Sequence, residues 1–586
     1  MKTKRILGRL ALSAGVALAM AIPLMVTAQG NAATGSLTVD LGSARGPATG
    51  VGSGFLYGMS QDGTQPSDAL LEPLKINAFR GGGHVGNWIA DGYRYGSGTQ
   101  ASVNSVIAQA RRLTAAPHNI RQYQAILSDL YGADAGQPAS TIWPCDNGDC
   151  SNYVAFLNAV VPVLQNSGIK FSYDIWNEPD LSIFWARGMN TTQYFQMWDT
   201  AFKELRRLAP SAILVGPSTA ATPQRASSMW QTWLSHVKSA GTVPDQITTH
   251  LLVGGDDPVT VAQITNNNLT ANGIPLRPLV TNEYQPQDQL SAGVSAWFLA
   301  RLAQSTYTYG MRANWDCCVK PNLTGLLTPS GSSWVTSGNY WVYRSYADVT
   351  GTLLTTSAQV GSTAIAAAQD DTVKRAVAII GDSSTNTGSG SVTFRGLSSV
   401  PWLTGLDNVK VVVNRIPDQA SLAQPQTVLS QTMSIAGGSI TVPFTTQASH
   451  DAFAIYLTPG SGTATTSPSA SASPTPTTTP SSTGGAGCTA TYQVSGSWSG
   501  GFQGGVTITN TGSQRTNGWN VSWTFPDGQV ITQAWNGAAS QSGAAVSVTN
   551  VSWNGALDPG GTADFGFIAN WNGANRTPSN VTCSAS

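Results

Sequence analysis

The sequence predicts a multidomain chain. A (β/α)₈ barrel, the TIM barrel architecture, comes first with a companion β-sandwich. A Ser/Thr/Pro linker follows, then a small C-terminal β-sandwich. Three observations carry this reading. From residue 36 to about 346, short apolar runs alternate with longer amphipathic ones, as strands alternating with helices do. From about 347 to 460 the segments become short and β-branched, with turn residues between them. Residues 461–487 contain only Ser, Thr, Ala, Pro and Gly, which cannot bury a core.

The element pattern can be followed along the chain. Candidate barrel strands are 55–59, 76–80, 122–127, 172–176, 212–215, 246–250, 278–282 and 311–315. Helical patterns lie between them at 103–113, 153–165, 192–208, 227–239 and 292–307. A doubly wound open sheet would also alternate in this way. No Gly-rich phosphate turn follows the first strand, so a nucleotide-binding fold has no support. In the next region, 372–380, 391–394, 409–413, 439–443 and 452–457 read as strands, and residues 36–41 can join them. The domain boundaries expected are 34–346 for the barrel, 347–460 for the accessory sandwich, 461–487 for the linker and 488–586 for the last module.

Composition excludes several functions. The net charge is +0 and only 10% of residues are charged, with no basic run beyond the N-terminus. An electrostatic grip on nucleic acid or an anionic membrane is therefore not expected. The chain has 18 Trp and 62 Gly, a composition suited to meeting neutral carbohydrate. Residues 1–33 read as an export signal: a basic start, an apolar stretch from Leu10 to Val26, then small residues at Val26-Thr-Ala28 and Asn31-Ala-Ala33. A secreted, extracellular protein with no membrane anchor is expected.

Export permits disulfides. Six Cys fall into three groups: Cys145 and Cys150, Cys317 and Cys318, Cys488 and Cys583. The last two bracket the C-terminal module and would staple its ends. The other four allow three connectivities. A tight Cys145–Cys150 loop with an adjacent Cys317–Cys318 bond is favoured, and free thiols at 317 and 318 are the alternative.

The chemistry centres on Phe171-Ser-Tyr-Asp-Ile-Trp-Asn-Glu-Pro-Asp180. This strand pattern breaks at Pro179, just after Glu178. A second short apolar run, Pro278-Leu-Val-Thr-Asn-Glu283-Tyr284, also ends in a carboxylate. In a (β/α)₈ barrel both would face the end where the loops after the strands converge. Two carboxylates there are the minimum equipment for cleaving a glycosidic bond. A separation of about 5 to 5.5 Å would mean retention. One must be ionised, and the other must keep a proton near neutral pH. Trp176 and Trp185 are candidates for the apolar surroundings. No metal is expected: the five His show no helical pairing.

The stretch Asp174-Ile-Trp-Asn-Glu-Pro-Asp-Leu-Ser-Ile-Phe-Trp185 resembles the acid/base signature of clan A retaining glycoside hydrolases, and within them family 39, known for β-xylosidases. Tyr194-Phe-Gln-Met-Trp198 and Leu205-Arg-Arg-Leu-Ala-Pro-Ser-Ala-Ile-Leu-Val-Gly-Pro217 extend the resemblance. It implies that Glu178 is the acid/base and Glu283 the nucleophile. Asn177 would hold the sugar 2-hydroxyl, and Arg80, His250 and Trp315 would line the first subsite. Two departures stand out. Asp180 occupies a position where the xylosidases usually have Asn, and the sixth strand ends in His250 and offers no tyrosine for the nucleophile. Tyr284 is expected to substitute.

The module at 488–586 has six Trp and five charged residues. It resembles a family 2 carbohydrate-binding module through its bracketing Cys pair, Gly518-Trp519, Phe525-Pro526, Gln533-Ala-Trp-Asn, Trp553-Asn-Gly and Pro559-Gly-Gly-Thr-Ala-Asp-Phe-Gly-Phe567. That resemblance implies a strip of Trp498, Trp535 and Trp553 stacking on crystalline cellulose. Trp519 and Trp523 alternate with polar residues and read as core. The expectation is a secreted retaining glycosidase acting on plant polysaccharide, β-xyloside-type hemicellulose first. It needs no cofactor, and its partners are the polysaccharide and a cellulose surface. The alternatives are an arabinofuranosidase or endo-hemicellulase of the same clan, and a non-catalytic cellulose-binding protein.

Overall fold

The computed structural model describes residues 35–82, 97–133, 137, 139–313, 320–331, 333–460, 487–498, 500–535, 537–551, 554–571 and 574–586. The chain divides into two compact units, residues up to 469 and residues from 470 on.

In the first unit eight parallel strands close into a barrel. They are Gly54–Leu56, Ala78–Gly81, Gln122–Ile126, Phe171–Asp174, Ile213–Thr219, Gln246–Leu251, Leu279–Tyr284 and Tyr307–Arg312. Most are buried along their whole length, because the helices cover the outside and the opposite strands cover the inside. The helix Thr192–Leu208 shows how that cover forms. Tyr194, Met197, Trp198, Ala201 and Leu205 recur at helical spacing and are buried, and the Thr191 hydroxyl caps the start by accepting from the Tyr194 N–H at 3.2 Å.

The eighth strand begins at Tyr307, four residues before the expected start at 311. The helix expected over 292–307 correspondingly ends at Gln304. Ser305 stops it: its Oγ accepts from the Tyr307 N–H at 3.1 Å, which turns the chain into the strand.

Beside the barrel lies a nine-stranded sheet. Its order is Gln426–Ser434, Asn408–Ile416, Ala452–Pro459, Arg375–Asp382, Thr363–Asp370, Thr352–Thr356, Ser36–Pro47, Gly388–Arg395 and Ile440–Thr446. Every neighbouring pair is antiparallel except Ser36–Pro47 with Gly388–Arg395, so the N-terminal strand does belong to this region. The sheet folds over on itself as a sandwich: Phe444 on one edge strand meets Phe453 near the other, ring centres 5.0 Å apart. Leu37, Val39, Val392, Val411, Val413 and Ile455 fill the space between. The opposite face presents Ala364, Ala366, Val377 and Ile379 to the helix Ala292–Gln304. That contact is close. A Cβ on Gly381 would lie 2.1 Å from the Trp297 backbone nitrogen, so only glycine fits. The helix is consequently buried from residue 292 to 303.

The second unit is a sandwich of two four-stranded sheets. Trp519 stacks on Phe565 and Trp523 on Phe567, at 5.7 and 5.5 Å, and both Trp lie in the core as expected. The Cys488–Cys583 bond joins the first strand of one sheet to the last strand of the other. Trp571 is partly buried and donates to the Gly501 carbonyl at 3.1 Å. Trp553 lies outside the described residues, as do the side chains of Trp498 and Trp535.

Candidate active site

The fourth strand stops at Asp174, two residues before the expected end at 176, and the chain then turns sharply. Glu178 has φ +42°, in the left-handed region that costs a non-glycine residue energy. Several contacts hold it there. The Glu178 N–H donates to the Ser218 carbonyl at 2.9 Å, and the Asn177 N–H to the Ser128 hydroxyl at 3.1 Å. Asp180 accepts from the Ala220 and Ala221 N–H groups at 2.9 and 2.8 Å, tying the loop after the fourth strand to that after the fifth. Behind the turn, Trp176 packs on Trp185 and Tyr153 with ring centres 5.0 and 5.7 Å away. Both Trp are buried structural supports of the loop.

A second brace comes from the segment after the third strand. Cys145 and Cys150 are bonded. Within that loop Asp146 binds Arg187 at 2.8 and 2.9 Å and Gln193 at 2.8 Å.

On the seventh strand the register shifts between Thr281 and Tyr284. This irregularity lets the adjacent Asn282 and Glu283 both reach the barrel axis. Asn282 donates to Asp174 at 3.1 Å and to the Ser218 hydroxyl at 2.9 Å. Glu283 accepts from Arg80 Nη1 at 2.6 Å. Tyr284 turns the other way. Its hydroxyl donates to the Gly52 carbonyl at 2.8 Å and shares a hydrogen bond with Tyr343, and its ring packs on Phe298. The expectation that Tyr284 stands in for the missing tyrosine at the nucleophile, as a substrate-site residue, is therefore corrected, because its side chain lies in the shell between strand and helices.

Glu178 and Glu283 come together. One carboxylate oxygen from each and one His250 ring nitrogen all lie within 4.8 Å of one another. His250 Nδ1 shares a 2.9 Å hydrogen bond with Glu178 and stands 3.7 Å from Glu283 Oε2. Arg80 is fully buried beneath the pair. It donates through Nε and Nη2 to Asp174 at 2.9 and 2.7 Å, through Nη1 to Glu283, and through Nη2 to the Asn177 side-chain oxygen at 2.8 Å. That last bond turns the Asn177 amide nitrogen away from the guanidinium. Arg80 and His250 thus hold the glutamates directly. Trp315 lies outside the described residues, as do Cys317 and Cys318.

The two carboxyls sit in unlike fields. Burial pushes Glu178 up to about 8, and the negative Asp180 adds to the shift. Burial also raises Glu283, but the Arg80 guanidinium works against that rise. Burial pulls the His250 imidazole down to about 4, so it is neutral at ordinary pH. Asp174 is raised by burial and opposed by Arg80. The only cation touching either glutamate among the described residues is Arg80, on Glu283, and it favours the ionised form there. Glu178, His250 and Glu283 have the ligand types for a metal, but Glu283 already holds the Arg80 guanidinium at 2.6 Å, which would repel a cation seated beside it.

Sequence reasoning missed Asp174, which holds Arg80, and Ser218 and Asn282, which hold Asp174. The signal was present: polar residues at positions of strands that otherwise read as buried.

A parallel barrel hosts many chemistries, and the site must narrow them. Two adjoining buried carboxyls at the C-terminal mouth, one on a cation and one on a neutral imidazole, are the groups that glycosidic bond cleavage requires. Sequence comparison supplies the family. Residues 165–271 match Glycosyl hydrolases family 39, and residues 488–586 match the Cellulose binding domain. The barrel thus carries a family 39 glycosyl hydrolase match over its middle strands, and the C-terminal module a cellulose-binding match over its whole length. Its structure is similar to that of N2152 from Neocallimastix frontalis, with TM-score 0.61 and 25% identity over 72% of this chain and 99% of that one. The fold also matches the GH39 enzyme from Xanthomonas axonopodis pv. citri, with TM-score 0.52 and 14% identity over 75% of this chain and 100% of the other. Among curated proteins, Endoglucanase A of Thermobispora bispora is 48% identical over 102 residues, 17% of this chain and 22% of that protein. Endoglucanase A of Cellulomonas fimi is 48% identical over 65 residues, 11% of this chain and 14% of that protein. The chain thus spans less than a quarter of either relative's length.

Proposed function

We propose that the protein is a secreted retaining glycosidase of plant cell-wall polysaccharide, with Glu283 as nucleophile and Glu178 as acid/base. The carrying observation is the approach of the two carboxyls to within 4.8 Å. An inverting enzyme needs roughly 6.5 to 9.5 Å to admit a water between them. Glu283, held by Arg80, attacks the anomeric carbon as Glu178 gives its proton to the departing oxygen. A glycosyl ester on Glu283 results. Glu178, now ionised, takes a proton from water, which attacks the same carbon and frees Glu283. His250 stays neutral throughout and orients Glu178. The Asn177 amide nitrogen, turned away from Arg80, donates to the sugar 2-hydroxyl.

The family 39 match over residues 165–271 favours β-xyloside-type hemicellulose as substrate. The cellulose-binding domain would place the barrel beside it. Trp498, Trp535 and Trp553 are proposed to stack on the cellulose surface, and the linker would raise local concentration without fixing the two units. Residues 1–33 would direct export. Among the described residues no helix is long and apolar enough to cross a membrane.

The test is product analysis on xylan, arabinoxylan, arabinan and cellulose with the parent, Glu178→Gln and Glu283→Gln. One sugar species released by the parent and lost in both variants is the expected result. Variants that hydrolyse like the parent would remove the site assignment.

A further inference from the structure

A second acidic centre lies at the barrel mouth, and the mechanism above does not use it. The third strand runs into the short helix Leu127–Tyr131, and Asp129 on that helix is 3% exposed. Its Oδ2 accepts a hydrogen bond from the Tyr57 hydroxyl. Its Oδ1 is buried and has no hydrogen-bond partner among the described residues. No cation pairs with Asp129 among them either. A buried carboxylate oxygen left without a donor costs free energy, and such a position is retained where a ligand supplies the donor. Glu283 Oε2, the oxygen proposed to attack the sugar, is also buried without a hydrogen-bond partner.

The surroundings tie Asp129 to the site. Ser128, its neighbour, holds the Asn177 backbone, one residue before Glu178. Gly82, two residues beyond Arg80, passes so close that a Cβ there would lie 2.1 Å from Asp129 Oδ2. Tyr57 ends the first strand with φ +57°, a left-handed conformation that a tyrosine rarely adopts, and its N–H is held by the Arg80 carbonyl at 3.0 Å. The strained tyrosine, the glycine and the short helix all converge on one carboxylate.

We propose that Asp129 reads a hydroxyl group of the sugar unit being cleaved, with Oδ1 accepting from that hydroxyl and Tyr57 positioning the carboxylate through Oδ2. This rests on the glycosidase reading above and deepens it. The substrate class follows from charge. Among the described residues Arg80 pairs with Asp174 and Glu283, and neither Asp129 nor Glu178 has an arginine or lysine partner. A uronic acid unit would bring another negative charge into this field, so the site selects neutral sugars bearing free hydroxyls.

The test compares the parent, Asp129→Asn and Tyr57→Phe in full-length protein. The probes are the 4-nitrophenyl β-xyloside, α-arabinofuranoside, β-glucoside and β-glucuronide, then the monodeoxy forms of whichever the parent cleaves. The parent should ignore the glucuronide and lose about 10- to 100-fold in kcat/KM when one particular hydroxyl is removed, the range of a hydrogen bond to a charged group. Asp129→Asn should lose a similar factor on the full substrate and become nearly indifferent to that same hydroxyl. Tyr57→Phe, a milder change that keeps the ring, should show a smaller loss at the same position. Thermal unfolding separates this pattern from misfolding, since a misfolded variant loses activity equally on every probe. A parent active on these glycosides, with Asp129→Asn paying the same penalty at every hydroxyl, overturns this inference and leaves the glycosidase reading standing. A parent that cleaves the glucuronide overturns the charge argument. A parent that cleaves none of them removes both readings.

Discussion

The barrel and the nine-stranded sheet are packed against one helix, yet their interiors are opposite in kind. The sheet encloses Leu37, Val39, Val392, Val411, Phe453 and Ile455, all apolar. The barrel encloses Arg80, Gln122, Gln124, Asp174, Ser218, Thr248, His250 and Asn282. Apolar packing is tolerant, since each contact is small and non-directional. A buried polar network is not, because each member must meet its partner's geometry or stand unpaired. The sheet therefore carries stability, while the barrel gives up some of it to hold two carboxyls in unlike fields.

The sharpest way to break this comparison is to remove one carboxylate. Glu283→Gln should lower kcat by about 10⁴-fold or more, since it removes the proposed nucleophile. In the sheet, Phe453→Ala should cost about 3 to 5 kcal/mol of stability and leave kcat unchanged at a temperature where the variant is folded. Steady-state kinetics and denaturant unfolding on both variants measure this.

Arg80→Met comes next. It leaves Asp174 and Glu283 buried without their cation, and should cost about 3 to 5 kcal/mol as well as activity. Unlike Phe453→Ala, it must lower both quantities together.

The pH dependence sharpens the difference between the carboxyls. As the proposed acid, Glu178 would have to be protonated for the first step, so kcat/KM should fall on the alkaline side with a midpoint near 8. Stability follows from the same shift. Between the ordinary value of 4.5 and about 8 the folded chain keeps a proton on Glu178 that the unfolded chain has released. Stability from this group is thus full below 4.5 and is lost as pH rises towards 8. Glu178→Gln lacks this loss. Its stability relative to the parent should rise from pH 5 to pH 8, as urea midpoints would show. His250 acts in reverse, losing stability as pH falls from 6.5 towards 4.

The smallest effect expected is that of Ile455→Val, which removes one buried methylene from the sheet. It should cost about 0.5 to 1.5 kcal/mol and leave the pH profile untouched.

The sequence shows the scaffold more clearly than the site. The barrel strands are short apolar runs with period two or none, and each of the eight appears near its expected place. Glu178 and Glu283 are legible because each ends such a run. Tyr284 is misread for a local reason: alternation along a strand puts neighbours on opposite faces, and only the register shift brings Asn282 and Glu283 to the axis together. Arg80 and His250 are legible as site residues, but their role as supports depends on distances to carboxylates that no spacing encodes. Asp129 is invisible in sequence, because its partner Tyr57 is 72 residues away.

The central claim is that Glu178 and Glu283 act as a retaining pair. The most direct measurement is proton NMR of the first-formed sugar, before mutarotation, from whichever substrate the parent cleaves. Retention of the anomeric configuration is the result this account predicts. Inversion would contradict it, because it would require a water between two carboxyls that approach within 4.8 Å.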